Sequence, residues 1–236
     1  MKRFAEDGFT EDGFTVIPEG LLPKEHAELC REFPPEAPNR RNLFTFSPLV
    51  ERLAAHGSFV RYAEEILGTG CFAVRAIFFN KILKSNWHVP WHQDIGVPVK
   101  ERREVEGFSA FTRKDGVLHA NAPSSVLENL LILRLHLDDA TADNGAMRLV
   151  KGSHRAGRLR EDEVDAAAAH GEQVQPEIPA RGILRLSPLL LHASAHASAD
   201  RPRRVIHIEY ASQPLPDGLE WAWQVRGVSR LSIEGQ

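Results

Sequence analysis

The sequence predicts a mainly β domain, an antiparallel sandwich or barrel, preceded by α-helices. Two observations predict it: two helical patterns lie before Gly68, and short apolar or alternating runs separated by turn residues recur after Gly70. With 236 residues the chain is expected to form a single domain over residues 1–236, with N-terminal helices over about 20–67 and a β core over about 71–212.

The helical part is justified by periodicity and by its stop signals. Residues 22–33 carry a proline early and end at Pro34-Pro35, and residues 48–67 carry apolar side chains at helical spacing and end at Gly68. A third helix is predicted at about Glu161–His170, which is acidic and rich in alanine.

The β part is justified by apolar runs and by alternation. Residues 100–125 are polar and interrupted by glycine and proline, so a long loop or lid is expected there. Residues 130–138 alternate, with leucines on one face and Arg134 and His136 on the other, and Asn144-Gly145 marks a tight turn. The predicted strands are Phe14–Ile17, 71–83, the segment around His92, 130–138, 146–150, 182–191 and Arg203–Ala211.

Composition excludes several classes of protein. The chain is 42% hydrophobic and 26% charged with a net charge of -3, and it has no long basic run, so it has no footprint for nucleic acid. Cys30 and Cys71 are the only cysteines, which indicates neither a disulfide framework nor a thiolate zinc site. No stretch resembles a signal peptide or a membrane span, so we expect a soluble, cytoplasmic protein without a membrane partner.

The segment NWHVPWHQDIGVPV contains a His-x-Asp pair, His92 and Asp94. In a strand, residues two apart point to the same side, so the imidazole and the carboxylate are expected on one face. Such a pair with one distant histidine forms the facial triad that binds Fe(II) and leaves positions open for oxygen chemistry.

The candidate for the third ligand is His192, which follows the apolar run Leu189-Leu190-Leu191 and should end a buried strand. Arg203 opens the next strand, and a guanidinium near an iron site is suited to a bidentate grip on a carboxylate. Ser194 could add a hydroxyl to the same carboxylate.

The elements WHQD, DNGAMRLVKGSHRAGRL and LLLHASAHASADRPRRVIHIEY, in this order, resemble the phytanoyl-CoA dioxygenase family. The resemblance extends from about Phe14 to Tyr210, and it rests on the order and spacing of the elements, since none of them is decisive alone. It implies a double-stranded β-helix (jelly-roll) core and an oxygenase dependent on Fe(II), 2-oxoglutarate and O2.

Position by position, the resemblance implies roles for the candidates. The residues that match the family's iron ligands are His92, Asp94 and His192. The residues that match its 2-oxoglutarate contacts are Arg203, Ser194 and Asn80, with Arg134 as a further lining residue although the family often has another side chain there. The implied reaction converts 2-oxoglutarate to succinate and CO2 and hydroxylates a C–H bond. Halogenating relatives have a small residue at the place of Asp94, so its carboxylate argues for hydroxylation.

Other histidines and aromatic residues have weaker interpretations. The H-x-x-x-H spacings at His88/His92 and at His192/His196 are poor zinc sites, because Pro90 interrupts the first and neither contains the glutamate of a helical zinc pair. His136, Trp91 and Phe111 are candidate substrate-pocket residues, with core packing as the alternative for each. The mixed-sign run 100–104 is interpreted as a solvated face.

Two other functions stay open. One is a metal hydrolase or isomerase on the same scaffold that does not use 2-oxoglutarate, and the other is a non-catalytic binding module. The partner is expected to be a small molecule whose identity the sequence does not give, and the expected oligomeric state is a monomer or a weak dimer.

Overall fold

The structure is a computed structural model that describes residues 8–55 and 57–227. The rest of the predicted single domain, including position 56 inside the predicted helix 48–67, lies outside the described residues. The helices are α1 (Phe9–Asp12), α2 (Pro23–Glu32), α3 (Pro48–Ala55), α4 (Gly57–Leu67), α5 (Ser124–Leu127) and α6 (Glu161–His170). The strands are β1 (Phe14–Ile17), β2 (Phe72–Lys81), β3 (Val89–His92), β4 (Gly96–Val99), β5 (Ser109–Lys114), β6 (Val117–Asn121), β7 (Leu130–His136), β8 (Met147–Val150), β9 (Gln173–Val174), β10 (Ile183–Leu186), β11 (His192–Ser194), β12 (Arg203–Ala211) and β13 (Val225–Arg226).

All strand pairs are antiparallel, which confirms the mainly β class. The large sheet has the order β1-β10-β7-β12-β2-β13, a second sheet has the order β3-β11-β8-β9, and a third has the order β4-β6-β5. The central strands β7, β12 and β2 of the large sheet are covered on both faces. Strands covered on both faces indicate a layered fold with helices on one side and a second sheet on the other.

The N-terminal helices cover one face of the large sheet. Alternate residues of β7, Leu131, Leu133 and Leu135, pack in one apolar cluster with Leu29 of α2 and Val50 of α3. Helix α2 begins at Pro23, where a missing N–H costs nothing, and the N–H of Leu22 donates to the Glu25 carboxylate. The remaining residues of β7 point to the opposite face of the large sheet.

The prediction of a long loop over residues 100–125 is wrong, because this region contains the hairpin β5–β6. The second strand of the hairpin pairs with β4. Its turn is Asp115-Gly116, with φ of 48° and 83°. Positive φ at both central residues defines the turn whose twist matches that of a hairpin. Strand β5 is polar because most of its side chains are exposed, so its composition resembled that of a loop.

Other predicted boundaries need smaller corrections. The helix predicted over 48–67 is helical over Pro48–Ala55 and Gly57–Leu67, on either side of the undescribed position 56, whereas the strand predicted over 182–191 is only Ile183–Leu186 followed by a turn. The strands Phe14–Ile17 and Arg203–Ala211 and the helix Glu161–His170 are confirmed. Among the described residues, no helix is both long enough and apolar enough to cross a membrane.

Candidate active site

The structure brings the three predicted metal ligands together between the large sheet and the second sheet. His92 of β3 is directly opposite His192 of β11, and their ring centroids are 4.1 Å apart. Asp94 Oδ1 lies 4.0 Å from His92 Nε2, and Asp94 Oδ2 lies 3.5 Å from His192 Nε2. These ligand atoms all lie within 4.8 Å of one another, so one ion can contact all three.

Both imidazoles are oriented in the same way by the backbone. The Nδ1 of His92 lies 2.9 Å from the carbonyl oxygen of Pro90, and the Nδ1 of His192 lies 2.9 Å from that of Leu190. An Nδ1–H that donates to a carbonyl leaves the lone pair on Nε2, the atom that faces the centre. The backbone therefore orients both imidazoles with Nε2 toward Asp94.

Asp94 reaches the centre from outside a strand, which corrects the expectation of a shared strand face. Strand β3 ends at His92, and the N–H of Asp94 donates to the carbonyl of Pro188 at 2.9 Å. The intervening Gln93 is buried, and its amide nitrogen donates to the carbonyls of Gly157 (2.8 Å) and Leu189 (2.6 Å). Its amide oxygen accepts from the N–H of Leu159 at 2.8 Å. Gln93, to which the sequence assigned no role, thus fixes the backbone between two ligands.

The protonation states of the centre suit a cation. Burial lowers the pKa of His192 to about 3, with a further contribution from His92, so its imidazole is neutral near pH 7. Burial alone would raise the pKa of Asp94, but His192, His92, His207 and Arg75 outweigh it and the net pKa is lowered. A neutral imidazole and an ionised carboxylate are the forms that bind a divalent metal.

The triad opens into a cavity of about 350 Å³ that also holds two buried guanidiniums, those of Arg134 and Arg203. Among the described residues, the Nε of both and the Nη1 of Arg203 have no hydrogen-bond partner. Burial lowers the pKa of Arg203 to about 9, with a contribution from Arg134, and it lowers the pKa of Arg134 to about 10. Buried, unpaired donors of like charge are costly unless an anion accepts from them.

Ser194 also lines the cavity, and a lysine that sequence reasoning missed holds it. Lys81 is fully buried, and its Nζ donates to Ser194 Oγ at 2.6 Å and to the carbonyl of Ala195 at 2.7 Å. The Ser194 hydroxyl in turn donates to the carbonyl of Gly145 at 3.1 Å. Burial, with the charges of Arg203 and Arg134, lowers the pKa of Lys81 to about 7.

Asn80 does not line the cavity, because strand alternation turns it the other way. Arg75, Ile77 and Phe79 of β2 face the cavity, whereas the Asn80 amide donates to the carbonyls of Pro35 (2.7 Å) and Ala37 (2.8 Å). The predicted position is therefore one residue away from Lys81. Lys81 could have been identified because it is two residues from Phe79, and residues two apart in a strand share a face.

None of the three tentative substrate-pocket residues lines the cavity. Trp91 packs on the cluster around Leu191 with Arg148 over its ring, and Phe111 packs beneath Arg102. His136 is buried, and burial together with Arg134 and Arg203 holds its pKa well below the usual range. The aromatic side chains that do line the cavity are Phe79 and Trp87.

A buried polar chain joins the cavity floor to the third sheet. Arg134 Nη1 donates to His207 Nδ1 at 3.0 Å, His207 Nε2 donates to Glu209 at 2.9 Å, and Arg75 donates to the same carboxylate. Arg75 also donates to the carbonyl of Gly96 at 3.0 Å. Arg75 therefore has its own carboxylate partner, whereas Arg203 has none among the described residues.

Two histidines and one carboxylate with open positions form the donor set of non-haem Fe(II) oxygenases, and the unpaired guanidiniums fit a carboxylate of a bound cosubstrate. The fold and the site thus define an Fe(II)-dependent oxygenase of the jelly-roll class. The profile of the family described as Phytanoyl-CoA dioxygenase (PhyH) matches residues 9–205. The chain belongs to this family, and it is an Fe(II)- and 2-oxoglutarate-dependent dioxygenase.

Solved structures confirm the jelly-roll fold. HygX from Streptomyces hygroscopicus, with nickel and 2-oxoglutarate bound, has a TM-score of 0.64 and 17% identity, over 89% of this chain and 86% of HygX. The α-ketoglutarate-dependent carbocyclase SnoK from nogalamycin biosynthesis has a TM-score of 0.66 and 18% identity, over 89% and 84% of the two chains. EctD from S. alaskensis, with bound Fe, has a TM-score of 0.65 and 18% identity, over 86% and 74%. Comparison with curated protein sequences gives no significant match.

Proposed function

We propose that the chain hydroxylates an aliphatic C–H bond of a small molecule, with release of succinate and CO2. The observation that carries the proposal is the pair of buried guanidiniums, neither of which has a carboxylate partner among the described residues, beside a His-Asp-His set. The ionised Asp94 completes the set with a carboxylate, which supports hydroxylation over halogenation. A cytoplasmic location and a monomeric or weakly dimeric state belong to the same proposal.

Each part of the site has a physical task in this reaction. His92, Asp94 and His192 would hold Fe(II), which with 2-oxoglutarate activates dioxygen when both are bound. Arg203 would bind the distal carboxylate of 2-oxoglutarate through the donors that have no partner among the described residues, and Ser194 would turn its hydroxyl from the carbonyl of Gly145 to the same carboxylate.

Apolar side chains around the centre exclude water from it. Ile77, Phe79 and Val89 line the cavity together with Met147 of β8. Limited access of water protects a reactive intermediate from side reactions and strengthens the electrostatic contacts inside the cavity. Arg134 lies over the Phe79 ring, with its Cζ 5.4 Å from the ring centroid, so this wall is also held electrostatically.

The test is anaerobic absorption spectroscopy with Fe(II) and 2-oxoglutarate. We expect the weak charge-transfer band of a chelated 2-oxo acid in the wild type, and Arg203→Gln should raise the 2-oxoglutarate concentration needed to form it. Arg201→Gln is the matched control, because Arg201 is exposed and pairs with Asp143. Absence of the band in the wild type would favour a metal hydrolase or isomerase that does not use 2-oxoglutarate.

Succinate formation then separates an oxygenase from a binding module. Uncoupled turnover should release succinate slowly in the wild type and not in Asp94→Ala. A wild type that forms the band and yet never forms succinate, with any candidate substrate, would contradict the catalytic proposal. Mass spectrometry of the product decides the outcome, and a gain of one oxygen atom is the result expected for hydroxylation.

A further inference from the structure

A lysine at the tip of the β5–β6 hairpin lies over the cavity that contains the triad. Lys114 is the last residue of β5, and it lines the cavity together with Arg41 and Arg75. A Cβ at Gly96, whose carbonyl accepts from Arg75, would lie 3.9 Å from Lys114 Nζ. The hairpin thus delivers an ammonium group to the cavity entrance.

The hairpin tip is docked in this position by Arg41 and Asn42, which lie just before the short 3-10 helix Leu43–Thr45. Asn42 Nδ2 donates to the carbonyl of Asp115 at 3.0 Å, and Arg41 Nε lies 3.5 Å from Asp115 Oδ2. The Asp115-Gly116 turn is tight, so it fixes the direction of the residue before it. Lys114 is therefore held over the cavity by contacts to the turn residue that follows it, Asp115.

The Lys114 ammonium has no direct partner among the described residues, and the carboxylates of Asp94 and Glu209 act on it only from a distance. Arg75 pairs with Glu209 and Arg41 pairs with Asp115, but among the described residues Lys114 has neither a carboxylate partner nor a hydrogen bond. Burial, with the charges of Arg75 and Arg41, lowers the pKa of the ammonium. The nearby run 100–104 offers no equivalent charge, since Arg102 pairs with Glu104 and Arg103 with Glu101.

This cationic group is separate from the one assigned to the cosubstrate. Arg75 and Arg41 lower the pKa of Lys114 and the carboxylates of Asp94 and Glu209 raise it, whereas Arg203 is acted on by Arg134, which is not among these four groups. The two negative charges of bound 2-oxoglutarate would balance the two positive charges of Fe(II). The single negative charge of Asp94 can balance only one of the two guanidiniums, those of Arg203 and Arg134. The loaded site therefore keeps a positive charge at the entrance.

We propose that the substrate carries an anionic group, a carboxylate or a phosphate, that binds Lys114 and Arg41 at the cavity entrance while its reacting carbon faces the metal. The inference rests on the proposed function, because it requires 2-oxoglutarate to occupy the Arg203 end. It assigns to the hairpin a role in substrate choice: a neutral molecule of the same shape leaves the ammonium without an acceptor.

The test uses three probes of similar shape: phenyl phosphate, benzoate and phenol. Each is titrated calorimetrically into the anaerobic enzyme loaded with Fe(II) and saturating 2-oxoglutarate, while the charge-transfer band is recorded. We expect at least one anion to bind more tightly than phenol and to perturb the band. Lys114→Gln should weaken that anion about fivefold, the value of one solvent-accessible ion pair, and leave phenol unchanged.

Two further variants make the result specific. Lys114→Arg should restore most of the affinity, and Lys100→Gln should leave it unchanged, because Lys100 pairs with Glu220. The anion with the larger loss identifies the group, phosphate or carboxylate. If the band forms but the anions bind no tighter than phenol, or Lys114→Gln behaves as Lys100→Gln does, the inference is wrong and the proposed function stands. If the band does not form, both fail.

Discussion

Lys81→Met tests the electrostatic description of the cavity most directly, since it removes a fully buried ammonium and keeps a side chain of similar length. The ammonium lies near the guanidiniums of Arg203 and Arg134, and burial with these charges lowers its pKa from 10.5 to about 7. Below pH 7 the folded apo protein therefore carries a proton that is disfavoured at this position. We expect the variant to be more stable than the wild type without 2-oxoglutarate and to bind 2-oxoglutarate less tightly.

The magnitude follows from the pKa and from the two hydrogen bonds of the ammonium. A lowering from 10.5 to about 7 corresponds to about 5 kcal/mol at 1.36 kcal/mol per pKa unit. The bonds from Nζ to Ser194 Oγ and to the carbonyl of Ala195 offset about 3 kcal/mol of this cost. Lys81→Met should thus raise the free energy of unfolding of the apo protein by about 2 kcal/mol at pH 6.

The pH dependence has a definite sign. Because the folded pKa of Lys81 lies below the unfolded one, wild-type stability should rise between pH 7 and 10.5, and the variant should lack this rise. Binding of a dianion next to the amine should raise its pKa again, so the wild type should take up a proton when 2-oxoglutarate binds at pH 8. The variant should take up none, and its 2-oxoglutarate affinity should fall about tenfold.

Urea unfolding at pH 6, 8 and 10 measures the stability, and calorimetry in two buffers of different ionisation enthalpy measures the proton uptake. Lys100→Met is the control for charge removal, because the exposed Lys100–Glu220 pair should contribute less than about 1 kcal/mol. A loss of apo stability at pH 6 in Lys81→Met, or an equal proton uptake in both proteins, would refute the reasoning.

Three further predictions concern the metal centre and its surroundings. Gln93→Leu should lower the free energy of unfolding by about 2–4 kcal/mol in urea titrations and weaken Ni(II) binding, because one N–H and two carbonyls lose their partner. An unchanged Ni(II) affinity would show that this amide does not position the ligands. Asp94→Asn should reduce the calorimetric affinity for Ni(II) at least about tenfold, since a neutral amide replaces a carboxylate; equal affinity would exclude Asp94 as a ligand. Burial, with the charge of Arg75, lowers the pKa of His119 from 6.5 to about 4, so apo stability should fall by up to about 3 kcal/mol as the pH falls from 6.5 to 4. His119→Gln should reduce that fall in denaturation experiments, and an identical fall in both proteins would contradict it.

The three candidate ligands could be identified from the sequence because they follow strong local signals, and the structure places their ligand atoms within 4.8 Å of one another. His92 and Asp94 are close in sequence, and His192 ends an apolar run that has to be buried. What the sequence did not show is how Asp94 arrives there, since its backbone bond to Pro188 depends on a turn far away in the chain. Contacts between distant segments leave no periodic pattern, and for this reason the role of Gln93 was also missed.

The hairpin and the role of Lys81 as the partner of Ser194 were missed for different reasons. Asp115-Gly116 is a strong hairpin signal, but the polar composition of β5 masked it. The strand β2 was predicted, but the residue of β2 that contacts Ser194 was not. The prediction was displaced by one residue, so it selected Asn80 in place of Lys81. The strand is apolar on both faces near its start, so alternation could not set the register there.

Strand β7 shows how the register can be set when alternation is present. Leu131, Leu133 and Leu135 face the N-terminal helices, whereas Arg134 lies on the other face, which would point to solvent in a sheet with one open side. A sheet that is covered on both faces has no solvent side, so a charged residue in the alternation indicates a polar cavity between layers. The same argument applies to β12, where Arg203 and His207 alternate with Ile206 and Ile208. Alternating charges in two neighbouring, otherwise apolar strands therefore locate the cavity without reference to the metal ligands.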